Sequence, residues 1–222
     1  MNDTKQEYPM TLPPFIQHLQ QRLQEPLPGY SGQAPMAPLP ARIYTPPEGV
    51  WYRDSAVMAL LLERPSQSDL EIVFTVRSSD LKSHSGQISF AGGRCEDGET
   101  FVQAALRETH EEIGIPPEHI LPLGELSPLY VPVSTSFIHP VVGFLQGEPH
   151  TRANPGEVEE VFFVQMSHLL NPENMGNEPR TLLGREVIVP FWRVHPTIPL
   201  WGATAMMVRE LLTLYEEFLQ LA

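Results

Sequence analysis

Residues 93–115 read GRCEDGETFVQAALRETHEEIGI, and this stretch decides how the rest of the chain is read. A helix is predicted from Glu99 or Thr100 to Gly114, with the glycine supplying the left-handed cap. At about 100° per residue, Glu111 and Glu112 fall roughly 60° and 40° to either side of Glu108. Val102, Ala105, Thr109 and Ile113 gather on a neighbouring face, so one face can pack while the next is crowded with carboxylates. Like charges at this spacing destabilise a bare helix by roughly 0.2–0.5 kcal/mol per pair. A bound cation would remove that repulsion, and hard oxygen donors suit Mg²⁺ or Mn²⁺. Most acidic runs only solvate a helix face, so the three glutamates alone do not establish a metal site.

Upstream, Ser55-Ala-Val-Met-Ala-Leu-Leu-Leu-Glu63 is a continuous apolar run typical of a buried strand, and Glu71-Ile-Val-Phe-Thr-Val-Arg77 completes a hairpin with it. Gln87 to Ala91 forms a short strand that delivers Gly92 and Gly93 to the acidic helix. Downstream, Leu121–Leu129, Phe137–Leu145 and Val158–Val164 read as three strands, and Met166–Leu170 as one helical turn. Asn171–Gly184 carries turn residues, and Glu186–Trp192 is a later strand. Met207, Leu211, Leu214, Phe218 and Leu221 recur at helical spacing and predict a terminal helix over 204–221. Ahead of all this, Phe15, Leu19 and Leu23 mark a short amphipathic helix over 12–24. Pro26 to Pro47 reads as an extended proline-rich strap over the surface, with a disordered linker equally open. The expected organisation is residues 1–50 as N-terminal helix and strap, and 51–222 as the main domain. Strands on both sides of a central helix, with another helix at the end, suggest an α/β sandwich with a mixed sheet.

Composition narrows the partners. With 14 basic against 27 acidic residues the formal charge is −13, which argues against a nucleic-acid groove. An acidic chain can still hold a phosphorylated ligand where metal ions supply local positive charge. The single Cys95 excludes an internal disulfide framework. No apolar run reaches the length of a membrane span, and MNDTKQEYPM lacks a signal pattern, so a cytoplasmic protein without a membrane anchor is expected. A homodimer stays open as its assembly.

The spacing of Gly93, Glu99, Arg107, Glu108, Glu111, Glu112, Gly114 and Ile115 resembles the Nudix box at every fixed position. Thr109 fills a slot that more often holds a larger aliphatic. Residues 76–93, VRSSDLKSHSGQISFAGG, resemble the signature that precedes the box in the coenzyme A pyrophosphatase subgroup. Arg77, Ser78, Gly86, Phe90, Gly92 and Gly93 match, whereas Lys82 replaces an Arg and Ala91 a Pro. Lys keeps the charge but loses the bidentate fork toward phosphate. Residues 200–205, LWGATA, resemble a Trp-Gly element of the same subgroup, although packing by Trp201 is the favoured account of them.

The resemblance implies a Nudix-like α/β/α sandwich and metal-dependent hydrolysis of a pyrophosphate bond in a small nucleotide substrate. For coenzyme A the products would be 3′,5′-ADP and 4′-phosphopantetheine. It implies Glu108 and Glu112 as metal ligands, with Glu111 binding a further ion or orienting water. Arg107 braces the box against Glu99, with Gly93 as its fixed start. Arg77, Ser78, Lys82, Gly86 and Gly92 would meet the substrate, and His84 could add to the phosphate grip. Many Nudix proteins carry a further carboxylate near the metals, and Glu157 is ranked for it ahead of Glu159 and Glu160 because Val158 and Val161 then turn the following strand inward. An exposed loop acid is the competing reading of Glu157. The same chemistry on ADP-ribose or a dinucleotide, and a non-catalytic nucleotide-binding sensor, stay open.

Overall fold

The computed structural model describes residues 12–39, 45–79, 86–182 and 184–221. Its helices are α1 (Pro14–Arg22), α2 (Tyr30–Gln33), α3 (Phe101–Ile113), α4 (Met166–Leu170) and α5 (Gly202–Leu221). The first strands are β1 (Arg53–Glu63), β2 (Glu71–Arg77), β3 (Ile88–Ser89), β4 (Ala91–Arg94), β5 (Leu121–Glu125) and β6 (Leu129–Val131). They are followed by β7 (Ser136–Gln146), β8 (Val158–Gln165), β9 (Met175–Leu182), β10 (Arg185–Trp192) and β11 (Leu200–Trp201).

β1 is the axis of a mixed eight-stranded sheet. It runs parallel to β7 from Arg53↔Ser136 to Glu63↔Gln146. Its hairpin with β2 pairs only at Leu61↔Ile72 and Leu62↔Glu71 before the two strands diverge. Into that gap goes the segment 88–94, with β3 on the end of β2 and β4 on the start of β1. The wedge places Gly92 opposite Val57 and Gly93 opposite Ala56. β8 pairs antiparallel with β2, whereas β5 and β6 line β7.

The apolar run of β1 serves both faces, as a central strand requires. Met58, Leu60 and Leu62 join Val73, Val141, Ala105 and Ile113 under α3. Ala59 and Leu61 join Phe74, Phe144, Leu19 and Leu211 beneath α1 and α5. The result is an α/β/α sandwich with a mixed central sheet. A three-stranded antiparallel sheet, β11–β10–β9, leads into α5. No helix among the described residues is long and apolar enough to cross a membrane.

Four segments differ from the reading of the sequence, the first being 87–91, which is β3 and the start of β4 on either side of Phe90, with Gly92 and Gly93 inside β4. Leu121–Leu129 is two strands, because Leu126 N–H bonds back to Pro140 O and Pro128 interrupts the ladder before β6. Asn171–Gly184 contains β9, whose residues alternate exposed and half-buried along the β10 ladder. Its polar side chains and Pro179 hid it, and an edge position is where a strand tolerates proline. The stretch after Pro26 is not extended throughout, since α2 and a tight turn over Ala34–Met36 bury Gly32, Gln33 and Met36. What holds it there is Glu210 of α5, a fully buried carboxylate. Glu210 accepts Gly29 N–H at 2.9 Å and the Gln33 amide at 2.8 Å, with further bonds from Ser127.

Candidate active site

The acidic helix is fixed at both ends by its own sequence. Thr100 caps the start: Gln103 N–H donates to Thr100 Oγ1 at 3.2 Å and Thr100 N–H to Gln103 Oε1 at 2.9 Å. Gly114, at φ 76°, ends the helix in the left-handed conformation, and Arg152 packs where a Cβ would stand. Thr109 is fully buried and satisfied by a bond to Ala105 O at 2.6 Å, so its hydroxyl fits an aliphatic slot.

The three glutamates occupy different environments. Glu112 is buried, its Oε2 accepting Gly92 N–H at 3.2 Å while Arg77 lies 3.8 Å from Oε1. Burial pushes its carboxyl up to about 7, against the pull of the Gly92 N–H and Arg77. Glu108 is less enclosed, and burial raises its carboxyl in spite of the adjoining Arg107. Its carboxylate lies against Gly93, where a Cβ would stand 2.5 Å from Cδ. A side chain at Gly92 would meet Val57 Cα at 2.6 Å. Both glycines are therefore demanded by close approach in the wedge. Glu111 is half exposed.

Arg107 is the hub of the box. It bonds Glu99 with two nitrogens at 2.9 and 3.0 Å, Glu108 at 2.9 Å, Glu111 at 3.1 Å and Arg94 O at 3.0 Å. The fork holds the Glu99 carboxyl well below its ordinary range. Cys95 is the opposite case: burial, with the Asp54 and Glu99 charges, pushes its thiol up to about 11, so it is no thiolate nucleophile.

Sequence reasoning missed the loop 152–157. Arg152 N–H and Asn154 N–H donate to the Ile113 and Glu112 carbonyls at 2.8 Å each, satisfying orphan acceptors at the end of α3. The Asn-Pro-Gly run at 154–156 is a turn signal that could have found it. Glu157 follows directly, its N–H on Asn154 O at 3.0 Å and its carbonyl on Ser78 N–H at 2.8 Å. Its negative field contributes to the raised carboxyls of Glu108 and Glu112. Glu160 lies beyond an irregularity in the β2–β8 ladder and is engaged by His195 at 3.2 Å. Glu159 is exposed.

Arg77, Ser78, Gly86 and Gly92 border the same end of the wedge: Gly86 N–H bonds Arg77 O at 3.1 Å, and Arg77 N–H bonds Gln87 O at 3.0 Å. Lys82 and His84 lie outside the described residues. Trp201 packs under the Arg180 guanidinium, 4.1 Å from its ring centre. Open clefts of about 500 and 420 Å³ flank Glu96–Glu99, and neither is lined by Glu108, Glu112 or Arg77.

Among the described residues no three His, Cys, Asp or Glu side chains stand gathered around one point. Arg107 draws Glu108 and Glu111 toward itself, and Arg77 lies beside Glu112. The donor chemistry nonetheless fits a hard divalent cation. Glu108, Glu112 and Glu157 supply oxygens alone, and the first two are held above their ordinary range by burial and mutual repulsion.

A mixed sheet between helices, with a glutamate-lined helix packed on a diglycine wedge, defines the class, and the comparisons with known proteins agree. The NUDIX domain model matches residues 52–184, and the chain belongs to the Nudix hydrolase family. It is 34% identical over 169 residues to the uncharacterized Nudix hydrolase NudL of Klebsiella pneumoniae, covering 72% of this chain and 81% of that protein. It is 37% identical over 135 residues to the peroxisomal coenzyme A diphosphatase NUDT7 of Mus musculus, covering 60% of this chain and 56% of that protein. Among solved structures, the Nudix hydrolase RenU of M. smegmatis shares the fold, with a TM-score of 0.51 and 18% identity over 78% of this chain and 90% of that one. Nudix hydrolases work with divalent metal ions on small nucleotide-derived substrates.

Proposed function

We propose that this Nudix hydrolase cleaves the pyrophosphate bond of coenzyme A or its acyl derivatives, releasing 3′,5′-ADP and the phosphopantetheine moiety. The observation that carries the reading is the contact of Arg77 with Glu112, which joins the loop resembling the coenzyme A signature to the box helix. The similarity to the mouse coenzyme A diphosphatase supports it.

Glu108 and Glu112 would hold Mg²⁺ or Mn²⁺, which when bound neutralises phosphate oxygens and lowers the pKa of the attacking water. Glu111, open to solvent, and Glu157, at the loop edge, would orient that water and receive its proton. Arg77 would offer a guanidinium fork to a phosphate beside Ser78 and the Gly86 and Gly92 backbone, and the resemblance assigns Lys82 to the same task. Gly93, Glu99 and Arg107 act by holding Glu108 in place. The described donors suit a compact anion that brings its own divalent counter-charge.

The test is a panel of coenzyme A, acyl-coenzyme A, NADH, ADP-ribose and dinucleotides with Mg²⁺ or Mn²⁺, with products resolved by chromatography. Coenzyme A is expected to be cleaved fastest, yielding 3′,5′-ADP, and EDTA to abolish the reaction. Equal or faster cleavage of ADP-ribose would overturn the substrate assignment while leaving the chemistry intact. Tight binding of nucleotide with no product would overturn both.

A further inference from the structure

Asp54, outside the box, grips the box loop at both ends. Its backbone carbonyl accepts Cys95 N–H at 3.1 Å. Its carboxylate meets His139 Nε2, across the β1–β7 ladder, at 3.0 Å. A carboxylate only accepts, so the imidazole donates Nε2–H and its tautomer is set by that bond. His139 in turn lies flat on Phe101, ring centres 3.5 Å apart and planes within 10°. Phe101 is the first residue of α3. Between the two grips runs Glu96–Thr100, which carries Glu99 and through it the Arg107 fork that touches Glu108.

The far edge of the imidazole is closed by Phe137, 4.9 Å away. Packing alone would be served by an apolar ring. A histidine with a half-exposed carboxylate partner adds a directional bond, and directional polar contacts can fix register as well as add stability.

We propose that His139, held by Asp54 and stacked on Phe101, is a positioning residue that sets α3 and the box loop against the sheet and so places the Glu99–Arg107 brace behind Glu108. The assignment rests on reading α3 as the cation-holding helix. It acts through Phe101 and Glu99, without contact to the substrate.

The experiment compares wild type with His139→Ala, His139→Phe and Asp54→Asn. Amide hydrogen exchange, Mn²⁺ binding by electron paramagnetic resonance, and turnover are measured for each. His139→Ala is expected to speed exchange of the 95–100 amides about tenfold while leaving β10 and α5 unchanged. It should weaken Mn²⁺ binding and lower kcat by about ten- to a hundredfold, with KM moving by less than about twofold. His139→Phe keeps a flat ring and should fall between, and it carries the test if His139→Ala does not fold. Asp54→Asn trades a charged acceptor for a neutral one and should speed exchange of the 95–100 amides less than His139→Phe does, whereas a rise beyond that of His139→Ala would overturn the part given to this bond. Unchanged exchange and Mn²⁺ binding in both His139 variants would overturn the proposal. So would exchange rising uniformly across the sheet, which marks general destabilisation. Exchange and Mn²⁺ binding need no substrate, so failure of the coenzyme A reading would leave these two results standing.

Discussion

Replacing Glu112 by Gln should make the metal-free protein more stable while removing its activity. Glu112 is 3% exposed, and its charge is offset by one N–H at 3.2 Å and a guanidinium at 3.8 Å. Its carboxyl rises from an ordinary 4.5 to about 7 on folding. Between those values the folded chain keeps a proton that the unfolded chain has released, so stability falls as pH rises through that window and stays low above it. At about 1.4 kcal/mol per tenfold, the rise amounts to about 3 kcal/mol at pH 8. Glu112→Gln escapes that cost, and for a chain of this size the melting temperature in EDTA should exceed wild type by about 5–10 °C at pH 8. Near pH 5 the two melting temperatures should converge. A divalent cation should reverse the order by stabilising wild type selectively, by mass action. Turnover with Mg²⁺ or Mn²⁺ should fall by about a thousandfold in the variant, while circular dichroism stays unchanged. Melting curves from pH 5 to 8, with and without metal, decide it. A gap between variant and wild type that does not change with pH would refute the account of Glu112, and wild-type turnover would sink its role as a ligand.

Arg107→Lys keeps the charge but loses the fork that spans Glu99, Glu108 and Arg94 O, so kcat should drop about ten- to a hundredfold in steady-state assays. Gly93→Ala drives a methyl into the Glu108 carboxylate; its Mn²⁺ affinity by titration calorimetry should fall by about tenfold or more with the secondary structure retained. Glu210→Ala strands the Gly29 N–H and leaves the Gln33 amide only its bond to Ser127 O, costing about 3 kcal/mol in urea unfolding, yet turnover per folded molecule should match wild type. A Glu210→Ala protein with full stability and lost turnover would reverse that assignment.

The box helix was legible almost to the residue because its punctuation is local. Thr100 and Gln103 form a capping box and Gly114 a left-handed stop, each within one turn of the chain. β1 was legible for a similar reason, since a strand buried on both faces has no polar residue to alternate. β9 was not. Its residues are polar because it is an edge strand, and pairing with β10 depends on a partner the local pattern cannot reveal. α2 was hidden by proline and glycine density, and what folds it is Glu210, about 180 residues away in the chain. Around the candidate site, the spacing exposed Glu99, Arg107 and the three helix glutamates. The pair Asp54–His139 carries no comparable signal, because it is defined across the sheet, and the loop at 152–157 announces only its Asn-Pro-Gly turn and not its bonds to the end of α3. The Val158 and Val161 pattern ranked Glu157 ahead of Glu160, and the β2–β8 ladder and the bond to His195 add what Glu160 meets instead.

The clasp between the first helix and the last has a consequence for biosynthesis. α1 buries Phe15, Ile16 and Leu19 in the core that α5 completes, and Arg22 bonds Glu217 at 2.8 Å. Until residues 202–221 emerge from the ribosome, that apolar stripe has only the sheet to dock on and lacks the half of its cover that α5 supplies. At about 5–20 residues per second the nascent chain carries it half covered for roughly 10–40 s. A chain stalled before α5 would leave that side of the stripe open.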